Sequence, residues 1–69
     1  MKTAAVIKKI KKACEAAGIE FELFDRKGHQ GIRVGSKKTT IGRHTETADL
    51  MAEKIYKQLE VELGEDWWR

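Results

Sequence analysis

At 69 residues without a proline, and with 14 basic against 11 acidic side chains for a formal net charge of +3, the chain has the size of one small domain whose hydrophobic core is only just sufficient. That length excludes a deep catalytic cleft, so any chemistry belongs on an open face and suits a large, flexible substrate better than an enclosed metabolite. Cys14 is the one cysteine; it allows no internal disulfide and points to a reducing cytoplasm. Lys8 and Lys9 break the first apolar run well short of a signal-peptide core or a membrane span, so a soluble, cytoplasmic protein with no membrane contact is expected.

From Thr3 to Ala17, Val6, Ile7, Ile10, Cys14 and Ala17 recur every three or four residues with lysines between them, which predicts an amphipathic helix. Thr3 is placed to cap its start and Gly18 to end it. The period then changes to two. Ile19, Phe21 and Leu23 alternate with Glu20 and Glu22 and run into Phe24, predicting a half-buried strand. The segment DRKG makes a turn. A second strand, His29 to Val34, sets Gln30, Ile32 and Val34 on one face and His29, Gly31 and Arg33 on the other. GSKK turns the chain again, and a third strand, Thr39 to Arg43, points Ile41 inward with Thr40, Gly42 and His44 opposite. Thr45 or Thr47 is placed to cap a second helix, whose stripe is Ala48, Met51, Ala52, Ile55, Leu59 and Leu63 and whose stop is Gly64.

The expected fold is therefore α+β: a two-layer α-β-β-β-α domain over residues 1–64, with two helices on one face of a three-stranded antiparallel sheet. Residues 65–69 form a C-terminal tail, EDWWR, whose tryptophans fold back on the domain or support self-association through Trp67 and Trp68; Glu65 and Asp66 beside them disfavour a platform for nucleic-acid bases.

Charge is segregated along the chain. Residues 26–44 hold Arg26, Lys27, Arg33, Lys37, Lys38 and Arg43, with His29 and His44 and no acid, whereas residues 45–69 hold seven acids against Lys54, Lys57 and Arg69. A basic run of this kind is either a solubilising surface or a polyanion site. Lys8, Lys9, Lys11 and Lys12 form a second basic cluster. One cysteine and two histidines do not supply convergent zinc ligands. The six glycines never form a phosphate loop. No cofactor or metal is expected. Cys14 reads as a small buried hydrophobe rather than a nucleophile.

His29 reads on pattern alone either as a solvated strand residue or as an acid–base group, histidine being the side chain that titrates near neutral pH. Gly28 and Gly31 leave backbone bare for the approach of a sugar–phosphate chain, and Arg33 lies two pleats along the same face, able to offset charge on a phosphate. The chemistry needing only these parts is RNA strand cleavage by the neighbouring 2′-hydroxyl.

The order α-β-β-β-α, with RKGHQGIRV, KKTTIGRH and a closing helix containing IYKQL, resembles the HicA-type mRNA interferase toxins, small proteins with a double-stranded-RNA-binding-domain-like fold. The resemblance spans roughly Val6 to Leu59 in order and spacing, and its specific matches lie in residues 26–44. His29 matches the family's catalytic histidine, Gly28 its glycine and Ile32 its apolar strand position. Two departures stand out: Gly28 adjoins His29 where the family carries a serine between them, and Gly42 stands where proline is common. A true double-stranded-RNA-binding domain is a weaker match, because HTETAD at the second helix start would repel phosphates.

The resemblance implies a toxin–antitoxin endoribonuclease, a hydrolase acting on mRNA. On that reading His29 is the catalytic acid or base, and the basic residues of the same stretch supply the candidates around it: Arg33 and Arg43 as phosphate clamps, Lys27, Lys37 and Lys38 as backbone contacts, and His44 as a second acid. It also implies a cognate antitoxin over the basic face. The alternative expectation keeps the fold and removes the chemistry: a non-catalytic nucleic-acid- or protein-binding module, such as a phage or mobile-element inhibitor, docking through that face.

Overall fold

The structure, a computed structural model, describes residues 1–42 and 45–69, with Arg26 described by its backbone. The elements are α1 (Thr3–Ala17), β1 (Phe21–Arg26), β2 (His29–Val34), β3 (Lys37–Gly42), α2 (Asp49–Gln58) and α3 (Glu60–Leu63). This is the expected α+β order, with the closing helix divided in two.

The core joins Val6, Ile10 and Cys14 of α1 to Ile32, Val34 and Ile41 of the sheet and to Ala52, Ile55, Tyr56 and Leu59. Four-residue spacing aligns the α1 members on one stripe. Gly18 ends α1 at φ +70°, its N–H reaching back to the last carbonyls, a conformation glycine takes without a β-carbon penalty.

Neither helix starts with the expected threonine cap. Lys2 and Ala48 hold the cap positions without side-chain bonds. The buried Thr3 and Thr47 hydroxyls meet each other at 2.6 Å. Two hydroxyls enclosed together satisfy one another, and either one turned to a cap would leave its neighbour unpaired. Thr3 N–H to Thr45 O (2.9 Å) and Thr47 N–H to Met1 O (2.7 Å) complete a clasp between the start of α1 and the lead-in to α2.

The sheet runs β1-β2-β3, antiparallel throughout. Both hairpins turn on two residues, Lys27–Gly28 and Gly35–Ser36, with glycine φ values of +69° and +59°. Because a glycine supplies the positive φ, two residues are enough to reverse the chain. Asp25 and Arg26, expected in the turn, instead extend β1, which starts at Phe21 rather than Ile19, and β3 starts earlier, at Lys37. The register puts Val34 beside Phe21 and Lys37, Ile32 beside Leu23 and Thr39, and Gln30 beside Asp25 and Ile41. That face meets the helices, although Leu23, on edge strand β1, remains 40% exposed.

The second helical stripe also differs from expectation: Ala48 and Met51 are exposed, and Tyr56 is buried. The break at Leu59 (φ −87°, ψ −4°) sets Glu62 against the β2–β3 turn, where its carboxylate accepts from the Ser36 N–H (3.0 Å) and hydroxyl. Trp67 and Trp68 fold back on Tyr56, one edge-on at 5.2 Å and one stacked at 5.6 Å. The Trp67 indole N–H donates to the Tyr56 carbonyl at 2.9 Å. Among the described residues, no helix is long and apolar enough to cross a membrane.

Candidate nucleic-acid interface

The face turned away from the helices carries three cross-strand rows: His29 and Gly42; Phe24, Gly31 and Thr40; Glu22, Arg33 and Lys38. Strand alternation fixes the membership of each row once the two-residue turns have set the register. His29 is therefore on the outer face despite the missing serine before it.

His29 is exposed, and its Nδ1 lies 3.0 Å from the Lys27 carbonyl oxygen. A carbonyl only accepts, so Nδ1 is the donor in this bond. The β1–β2 turn thus orients the ring. Beside it opens a groove of about 420 Å³. His29, Thr40, Ile41 and Gly42 line one side, with Glu46, Thr47, Ala48 and Met51 on the other.

The middle row differs from the sequence expectation. Gly28 does have open space around it, but the position over Gly31 is filled by the Phe24 ring, which a β-carbon there would strike. Gly31 therefore serves close packing of an aromatic side chain across the strand pair, and the backbone between His29 and Arg33 is covered.

Arg33 has partners that the sequence pattern did not point to. Its Nε donates to Glu22 at 3.1 Å, Nη2 to Glu20 at 3.3 Å and Nη1 to the Gly35 carbonyl at 2.9 Å. Glu22 first and Glu20 second hold the guanidinium still more firmly protonated than an ordinary arginine. The same carboxylates neutralise it, so a phosphate reaching Arg33 must displace two acids. The residue works as an intramolecular clasp between β1, β2 and the following turn.

The lysines are exposed but do not converge. Lys27 sits in the β1–β2 turn and Lys38 at the far end of the sheet, about 17 Å away along a strand. Lys37 alternates to the helix side. Arg43 and His44 lie outside the described residues. Lys8, Lys9, Lys11 and Lys12 are exposed on the helix layer, and Lys9 Nζ stands 5.4 Å from the Tyr56 ring centroid.

Two features of the site were missed in the sequence. Glu22 was assignable to the face of Arg33, because alternation and a two-residue turn pair them; the turn length hid this. The far wall of the groove, Glu46 to Met51, has no local signal, because the clasp with residues 1–3 carries it there.

Comparison with known proteins matches this chain to no family model, no curated protein and no solved structure. Fold and site define its class: a small two-layer α+β domain with an oriented, exposed strand histidine at the edge of an open groove.

Proposed function

We propose that this chain is a cytoplasmic, metal-independent endoribonuclease acting on mRNA, in the manner its resemblance to the HicA-type toxins implies, with His29 as the acid–base residue. The observation that carries this reading is the His29 ring itself, exposed at the groove with Nδ1 tied to the Lys27 carbonyl. Nε2 takes the proton of a ribose 2′-hydroxyl. The oxygen attacks the adjacent phosphorus, the bond to the 5′-oxygen breaks, and that oxygen regains a proton from the imidazolium or from water. Lys27 and Lys38 lie on or beside the same face and hold flanking phosphates, whereas Lys37 lies on the helix side. A cognate antitoxin would cover this face with acidic groups.

The test is cleavage of a labelled single-stranded RNA, in chelator, by the protein and its His29→Ala variant, with the fold of both checked by circular dichroism. Cleavage by the first and not the second is expected. Folded wild-type protein that leaves several RNAs intact would overturn the nuclease reading.

One observation favours the alternative, a non-catalytic binding module. The arginine on the face of His29 that would offset phosphate charge is already neutralised by Glu20 and Glu22. In that reading His29→Ala leaves affinity for RNA or a protein partner unchanged, while loss of Lys27 or Lys38 lowers it, with the salt slope falling by about one for each phosphate contact removed.

A further inference from the structure

We infer that the groove beside His29 is a subsite for a single guanine base, with the Glu46 carboxylate reading its Watson–Crick edge. The inference rests on the ribonuclease reading and names the nucleotide on which that site acts.

The groove is suited to a base rather than to backbone. Its volume of about 420 Å³ falls in the lower part of the roughly 300–1,000 Å³ range of small-ligand clefts. The half-exposed Met51 supplies apolar surface from the α2 wall, and a thioether packs well against a flat ring.

Glu46 decides the chemistry. It is the acidic residue of the lining, and an ionised carboxylate only accepts hydrogen bonds. In a site that must hold RNA it repels phosphate and is matched by base N–H groups. Adenine and cytosine each offer one amino group beside an acceptor, and uracil offers one N–H between two carbonyls. Guanine alone presents two adjacent donors, N1–H and the 2-amino group, which fit the two carboxylate oxygens together. Sequence-specific recognition of single-stranded RNA works on such edges.

The position of Glu46 is set by its backbone bridge to Lys2. Its side-chain ion pair with the Met1 amine is 3.6 Å long and exposed, weak enough to yield to a base. With a base in the groove, the attached ribose and 3′-phosphate lie toward the rim that His29 forms. Cleavage then falls on the 3′ side of guanosine.

The test is an NMR titration of the full chain with guanosine 3′-monophosphate and, separately, with the adenosine, cytidine and uridine 3′-monophosphates, repeated on Glu46→Gln. The guanosine nucleotide is expected to bind about tenfold or more tightly than the others, the discrimination of one good bidentate contact, with shifts at Gly42, Glu46 and Met51. Glu46→Gln keeps the folded spectrum and loses the preference, because its amide sets a donor against a donor. Equal binding of the four nucleotides, or a preference that survives in Glu46→Gln, would overturn the subsite. RNA cleavage without guanine preference would also overturn it while leaving the nuclease standing. Guanine-selective binding by a protein that cleaves no RNA would support the subsite and remove the nuclease.

Discussion

The Phe24 ring lies across the strand pair over Gly31, in the space that a β-carbon on residue 31 would occupy. The pair closes the middle of the outer sheet face and separates the row of His29 from the row of Arg33. Without a side chain at 31 the ring fits over the backbone; with one it must leave.

Gly31→Ala is expected to lower stability by about 1–2 kcal/mol through this overpacking. In a Phe24→Ala background the same change is expected to cost nothing or to stabilise slightly, since alanine is the better strand residue once the ring is gone. Urea unfolding of the four proteins of this cycle measures the coupling. Independent, additive effects would show that the ring does not rest on Gly31.

The ion pairs of Arg33 lead to a second expectation. Replacing Glu20 and Glu22 together by glutamine leaves the guanidinium charged and unneutralised on the outer face. Affinity for a single-stranded RNA is then expected to rise, and the dependence of log K on log salt to steepen by about one contact. Arg33→Ala in the unaltered protein is expected to change RNA affinity little while loosening β1 from β2. Fluorescence anisotropy across a salt series separates these outcomes.

Glu62 sets an acid limb of stability. The hydroxyl and N–H of Ser36 hold its carboxyl below the usual carboxylate range. Its folded-state pKa is depressed, so its contribution is present above the unfolded pKa and is lost as pH falls through the folded one. Tm is therefore expected to drop as pH is lowered below about 4, and to drop less steeply in Glu62→Gln. Identical slopes for the two proteins would remove Glu62 from the acid response.

Trp67 is expected to matter to stability more than its place in a five-residue tail suggests. It meets the Tyr56 ring edge-on and bonds the Tyr56 carbonyl, so Trp67→Ala is expected to cost about 2 kcal/mol, below the range for a fully buried tryptophan because the ring is only partly buried. Denaturant midpoints for this variant and for truncation after Gly64 measure the effect. Mass in solution for both shows whether the tryptophans also serve self-association.

Much of the architecture is legible in the residues themselves. Val6, Ile10 and Cys14 mark one helix stripe, Ile32 and Val34 one strand face, and Gly18 and the two turn glycines the points of reversal. These signals are local: periodicity and left-handed glycines act within a few residues. The site was legible only in part. His29 on the outer face followed from alternation, whereas the Phe24 ring over Gly31 and the carboxylates beside Arg33 come from β1 and from Glu20 just before it.

What the sequence determined by itself is the order of elements, the strand alternation and the identity of most core residues, because each depends on side chains a few positions apart. Tertiary structure decided which hydroxyls meet, as Thr3 and Thr47 do across 44 residues. It also decided which charges cancel, as Arg33 and Glu20 do, and which groups wall the groove opposite His29. Those outcomes depend on register and on enclosure, since a polar group removed from water takes the nearest partner the fold supplies, whatever cap or clamp its local sequence suggested.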